Sequence, residues 1–233
     1  MTHPFSRRRA ALAAVALATA GLLAACGSSS IDSALTPARF VSFGDAMSDI
    51  GNTALPGSTT PSGLRFTVND SNTTPTWVEY LVSRYSKSIV RSSAGGTGYA
   101  VGNARVTAKP DAAGSNTTPS IKEQIDAFLA TGAIGALDVM VLNAGQSDII
   151  AEYAAVRAGT RTEAQMLANL DQAGRDLGAQ ARRLVQAGAK YVMVAGAYNM
   201  GKSPWAIALG KQSLLTEASS RFERGTDINA PVV

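Results

Sequence analysis

The run Leu137-Asp138-Val139-Met140-Val141-Leu142 is almost continuously apolar, and this feature limits the fold more than any other in the chain. Such a run is typical of a central strand in a parallel sheet whose two faces are both covered. A long amphipathic segment over 162–187 follows, and Gly188 separates it from a second apolar strand at 190–194. A shorter strand at 39–43 precedes both. Strands that alternate with helices predict an α/β fold with a parallel, doubly wound sheet and right-handed crossovers.

Local patterns predict the remaining elements. Further helices are predicted over 76–85, 119–129 and 213–224, the first with Thr76 as its N-cap. A short strand is predicted at 88–91, and the Thr-, Ser-, Pro- and Gly-rich segment 53–74 is predicted to be a surface loop. The dipeptide Gly44-Asp45 should end the first strand in a turn, and a helix is expected to begin directly after that turn.

The first 25 residues are typical of a bacterial export signal, with Arg7, Arg8 and Arg9 before an apolar stretch. Leu23-Ala24-Ala25-Cys26 resembles a lipoprotein box, which predicts lipidation of Cys26 and anchoring to a membrane of the bacterial cell envelope. With a lipidated Cys26, residues 26–37 form a lipid-anchored tether and residues 38–233 the globular domain. The alternative is ordinary cleavage with an incidental cysteine. The chain has one cysteine, so the domain is predicted to have no disulfide.

The charge of the predicted domain is nearly neutral. The chain has 21 basic and 17 acidic residues, and removal of the three signal arginines leaves an excess of one positive charge. This balance argues against a nucleic-acid partner. The spacing Gly96-x-Gly98-x-x-x-Gly102 does not predict a dinucleotide site, because no helix is predicted after it. No cofactor and no metal site are predicted.

The segment Phe43-Gly44-Asp45-Ala46-Met47-Ser48-Asp49-Ile50-Gly51-Asn52 resembles the first sequence block of the GDSL/SGNH ester hydrolases, whose pattern is approximately F-G-D-S-L-S-D-x-G-N. The resemblance implies that Ala46 occupies the position of the nucleophilic serine and keeps its backbone N–H for the oxyanion hole. Asp45, Ser48 and Asp49 would support this turn. A methyl group cannot attack a carbonyl, so this position cannot form an acyl-enzyme.

Two further segments resemble later blocks of the same family. Gly98-Tyr99-Ala100-Val101-Gly102-Asn103-Ala104-Arg105 is similar to N-Y-A-x-G-G-A, which places Asn103, preceded by Gly102, at a glycine that donates to the oxyanion. Asparagine tolerates the left-handed backbone better than most residues. Gly145-Gln146-Ser147-Asp148 is similar to G-x-N-D, with Ser147 in place of the asparagine donor. Loss of one oxyanion donor typically costs about 2.7–4 kcal/mol in the transition state.

The family's D-x-x-H motif is absent, and the only histidine, His3, lies in the predicted export signal. Without an imidazole there is no suitable general base. Ser48 as a substitute nucleophile is disfavoured, because a capping role explains it. The resemblance implies an SGNH-like three-layer α/β/α sandwich, short of its last strand and helix, with residues 191–194 at an open edge. Truncation or frameshift of a longer ancestor would explain the missing motif, whereas the substitutions at 46, 103 and 147 favour earlier loss of catalysis.

The family acts on acyl or acetyl esters of lipids or carbohydrates, and nothing in the sequence chooses among them. The sequence therefore predicts a lipase/acylhydrolase-like protein with negligible esterase activity. One alternative is a non-catalytic, membrane-anchored lipoprotein that uses the inherited cleft to bind an acyl-ester or glycan-ester ligand. The other is a decaying gene product without function.

Overall fold

The computed structural model of the chain describes residues 35–54, 66, 74–132 and 134–226. The described residues from Pro37 onward belong to one compact unit. The predicted export signal, Cys26 and most of the predicted loop at 53–74 lie outside the described residues.

In the described ranges, three parallel strands form the sheet, in the order β1 (Arg39–Gly44), β2 (Asp138–Asn143) and β3 (Tyr191–Ala195). The register aligns Val41 with Met140 and Met140 with Val192. All three predicted strands are present within one residue of their predicted limits. The prediction of an α/β fold with a parallel sheet is confirmed.

The strand predicted at 88–91 is wrong, since only Arg91 forms an isolated bridge there, to Gly98. The place beside β1 is taken by the next segment of chain. Ser42 donates its N–H to the Thr97 carbonyl and accepts the N–H of Tyr99. This pairing covers the outer edge of β1 and aligns the following residues with the end of the strand.

Among the described residues, six α-helices surround the sheet: α1 (Trp77–Ser83), α2 (Ile121–Leu129), α3 (Gln146–Arg157), α4 (Glu163–Gln186), α5 (Pro204–Leu209) and α6 (Gln212–Gly225). The predicted N-cap Thr76 is confirmed, and it forms a capping box with Glu79. Matching boxes begin α2 and α4, at Ser120 and Thr162. Helices α3 and α5 were not predicted. None of the described helices is long and apolar enough to cross a membrane.

The helix predicted to begin after Asp45 is also wrong, because the described residues 45–51 form turns and bends. The carboxylate of Asp49 accepts backbone N–H groups from Gly51, Asn52 and Thr53. A side chain that binds its own following N–H groups competes with helical hydrogen bonding. The turn therefore stays compact and is held by Asp49.

The two faces of the sheet are covered unequally. Alternate side chains of all three strands join the main apolar core with α2, α4 and α6: Val41, Phe43, Met140, Leu142, Val192 and Val194. On the opposite face, Phe40 packs against Tyr85, which follows α1. The β3 side chains on that face, Tyr191 and Met193, remain 37% and 36% exposed. In the described part of the chain, no strand pairs with the outer edge of β3, and this edge is called the open edge below.

Candidate functional site

The end of β1 is held by a side chain from α2. The Gly44 N–H donates to Gln124 Oε1 at 2.9 Å, and Gln124 Nε2 donates to the Gly44 carbonyl at 2.9 Å. Val101 N–H reaches the same carbonyl at 3.2 Å. A Cβ on Gly44 would lie 2.5 Å from the Asn143 carbonyl, so only glycine fits. These contacts fix the backbone of Gly44, directly before Asp45 and Ala46.

Asp45 joins the first and third sequence blocks. Its carboxylate accepts the N–H of Met47 at 3.2 Å and the N–H of Ser147 at 3.4 Å. The side chain is fully buried, and this burial raises the pKa of Asp45 to about 7, although both N–H groups and the Ser147 hydroxyl oppose the increase. The Ser147 hydroxyl, which stands where the family's amide donor would be, therefore interacts with Asp45.

The second block is attached to the first through Asp49. The Gly102 N–H donates to Asp49 Oδ2 at 2.8 Å and to Thr53 Oγ1 at 2.7 Å. Asn52 Nδ2 donates to the carbonyls of Gly98 and Ala100. The Gly102 N–H is consequently used within the protein. Asn52 and Thr53 were missed as site residues, although Asn52 is the last residue of the first block.

Two backbone donors have no acceptor in the described part of the chain. No described residue accepts the N–H of Ala46 or of Asn103. Asn103 adopts the left-handed conformation, with φ of 66°, and both residues are partly exposed. The Ala46 N–H lies within the Asp45–Asp49 turn. The Asn103 N–H follows Gly102, which binds Asp49, and Ser147 of the third block binds Asp45 in the same turn.

Ser48 is occupied elsewhere. Its side chain is fully buried, and its hydroxyl accepts a hydrogen bond from Trp77 Nε1 at 3.1 Å. Its backbone N–H donates to the Asp45 carbonyl. Ser48 thus ties the turn to the start of α1, and the hydroxyl does not face solvent.

The third block begins α3. Gly145 precedes the helix with φ of 112°, and a Cβ there would lie 2.7 Å from the Phe222 ring. Asp148 is buried, and its carboxylate accepts the N–H of Val106 at 3.1 Å and Arg105 Nε at 3.2 Å. Burial raises the pKa of Asp148 to about 6, with Arg105 acting in the opposite direction.

Arg105 connects the second and third blocks. Besides Asp148, it binds Glu152 one helical turn later, with Nη2 2.7 Å from Oε1. Glu152 also binds Arg161 and Asn169. These acidic side chains are nearly inaccessible, whereas Arg105 is 11% exposed. The network was not predicted, since its members are far apart in sequence.

The residue types at the first block differ from those expected for the family. Position 46 carries no nucleophilic oxygen, and residues 35–226 contain no histidine. No group of three or more potential metal-ligating residues occurs in the described part of the chain. Among the described residues, the arrangement offers the backbone N–H groups of Ala46 and Asn103 as hydrogen-bond donors.

The comparisons with known proteins bear on the whole domain. The sequence profile of the GDSL-like Lipase/Acylhydrolase family matches residues 40–230, a range that contains all three blocks. A search of curated proteins gave no significant match. Because the profile spans most of the chain, this protein belongs to the GDSL-like lipase/acylhydrolase family.

Proposed function

We propose that this chain binds an ester or its carboxylate product at the Ala46 site and does not hydrolyse it. The observation that carries this proposal is that no described residue accepts the N–H of Ala46 or of Asn103, and that the Gly102–Asp49 hydrogen bond joins their two segments. Converging N–H donors stabilise a negatively charged oxygen. Without a nucleophile, the same donors would hold a bound carboxylate or carbonyl in its ground state.

Two contacts argue against residual turnover. The Ser48 hydroxyl is buried and engaged by Trp77, so it cannot replace the missing nucleophile without rebuilding the turn. Asp45, the buried carboxylate next to position 46, already accepts two backbone N–H groups. Neither residue is therefore free to activate water or a hydroxyl.

Two buried acceptors at the same edge of the sheet favour a ligand that also carries hydrogen-bond donors. Asn143 Oδ1 and Gln146 Oε1 have no hydrogen-bond partner among the residues that the structure describes. Asn143 uses its amide N–H groups to bind the carbonyls of Ala195 and Gly196. An acyl ester of a carbohydrate supplies both a carbonyl oxygen and hydroxyl donors, and we propose this class of ligand.

The cellular setting is part of the proposal. The lipoprotein box at Cys26 supports an anchored protein of the bacterial cell envelope, with the tether 26–37 before the domain. Metabolic labelling with an alkyne fatty acid tests this assignment. We expect label on the wild-type chain and none on Cys26→Ser. Label that persists in the variant would contradict it.

We expect no esterase activity above the buffer rate from the chain beginning at Gly27, which keeps the whole described core. The assay uses p-nitrophenyl acetate, butyrate and octanoate. Ala46→Ser should remain nearly as inactive, because a serine without an imidazole base is a poor nucleophile. Turnover in the wild type that disappears in Ser48→Ala would contradict both the proposal and the role assigned to Ser48.

Binding is tested separately, by isothermal titration with octanoate and with an acetylated disaccharide. We expect saturable binding to the wild type and at least about a tenfold weaker affinity for Ala46→Phe, whose ring would cover the two donors. Ala154→Phe, at an exposed position on α3, is the matched control and should bind like the wild type. Equal binding by both variants would place the ligand elsewhere.

A further inference from the structure

The open edge of β3 presents a regular set of backbone groups. Ala195 accepts the N–H of Ala144, the residue directly after β2, so the N–H and C=O groups of residues 191, 193 and 195 point toward β2. Because successive residues of a strand point to opposite sides, those of Val192 and Val194 point away from the sheet. An unpaired row of this kind is a template for another strand.

The surface beside this edge is apolar on both faces. On one face, Val192 and Val194 line a groove of about 330 Å³ with Ala181 and Val185 of α4. On the other face, Tyr191 and Met193 are both more than one-third exposed. A strand added at the edge would cover both faces at once.

We propose that this edge pairs antiparallel with the same edge of a second copy of the chain, about a twofold axis at Met193. The sequence Val192-Met193-Val194 is symmetric about its centre, so each Val192 lies opposite Val194 of the second copy. Their outward N–H and C=O groups form hydrogen-bonded pairs. Tyr191 then packs over Ala195 of the second copy, and the two three-stranded sheets become one.

Charge complementarity supports this register. Lys190 comes to lie opposite Gly196 of the second copy, just beyond the end of β3. A Cβ on Gly196 would collide with the Glu223 carboxylate, which therefore sits directly over that glycine. Neither Lys190 nor Glu223 forms an ion pair with another described residue. The dimer contains two such Lys190–Glu223 pairs, both between copies.

The second edge of the sheet explains why the assembly stops at two. The outer side of β1 is already paired with residues 97–99. Within the residues that the structure describes, each copy thus offers one free edge, and a twofold contact uses the free edges of both copies.

Sedimentation equilibrium of the chain beginning at Gly27, from about 1 to 100 µM, tests the proposal. We expect a dimer whose dissociation constant rises at least about tenfold in Lys190→Glu and in Glu223→Lys, since each creates two like-charge contacts. An equimolar mixture of the two variants should recover a heterodimer with restored affinity. Lys202→Glu, at an exposed position off the strand, is the control and should dimerise normally.

Within one copy, Lys190 and Glu223 lie at opposite ends of β3, so recovery in the mixture can arise only between copies. A monomeric wild type, or variants whose mixture does not recover, would overturn the proposal.

Amide exchange is a second test that needs no variant. The N–H groups of Val192 and Val194 should become more protected with increasing concentration. Concentration-independent protection would mean that another segment of the same chain covers the edge.

Discussion

Replacement of Arg105 by methionine is expected to lower the free energy of unfolding by about 3–5 kcal/mol, since it leaves two buried carboxylates without their shared cation. Arg105 contacts Asp148 and Glu152, whose side chains are 1% and 4% exposed. Methionine fills a similar volume, so most of the loss is electrostatic. Urea unfolding followed by circular dichroism gives the measurement.

Arg161→Met is the matched control for this change. Arg161 binds the same Glu152 but is 35% exposed, and its removal leaves Glu152 bound to Arg105 and Asn169. We expect a loss of about 1 kcal/mol or less. The Arg105→Met defect should also shrink near pH 5, where Asp148, whose pKa burial raises to about 6, can take up a proton. Equal defects in the two variants at pH 8 would contradict the importance of burial.

Stability should fall as the pH rises from 5 to 7, and Asp45→Asn should make that dependence shallower. Burial raises the pKa of Asp45 from 3.8 in an unfolded chain to about 7. Between these values the folded state binds more protons than the unfolded state, so folding becomes less favourable with increasing pH. One additional proton bound by the folded state changes the free energy of unfolding by at most about 1.4 kcal/mol per pH unit. Asp148, with its pKa raised to about 6, contributes with the same sign.

The measurement is the free energy of unfolding by urea at intervals between pH 5 and pH 8. Asp45→Asn should remove up to about 1.4 kcal/mol per pH unit from the slope below pH 7. Glu217→Gln, at an exposed position on α6, should keep the wild-type slope. An unchanged slope in Asp45→Asn would show that the carboxylate is already ionised across this range.

The parts of the fold that depend on local pattern were predictable. The apolar run of β2 and the Thr or Ser residues that cap α1, α2 and α4 each carry their own sequence pattern. Helix α3 lacks such a pattern, because its buried positions include Ser147, Asp148 and Glu152. Polar residues that are buried by long-range pairing interrupt the apolar stripe from which helices are predicted.

In the candidate site, too, the segments with a local sequence pattern were predictable and the long-range contacts were not. Resemblance to three short blocks identified the turn at Ala46 and the segments of Asn103 and Ser147, and the structure joins all three segments. The contacts that join them could not be predicted, since Gln124 is 80 residues from Gly44 and Arg105 is 43 residues from Asp148. The strand predicted at 88–91 failed for a related reason, because the neighbouring segment took the position beside β1.

The two hydrogen bonds between the Gln124 amide and the Gly44 backbone have an evolutionary consequence. The backbone before residue 46 is held by a side chain that makes no use of the residue 46 side chain. We therefore expect exchange of serine for alanine at this position to leave these backbone hydrogen bonds in place. Selection for activity and selection for folding then act on different residues. A lineage with this fold can thus exchange the residue at this position in one step while the backbone around it keeps its hydrogen bonds.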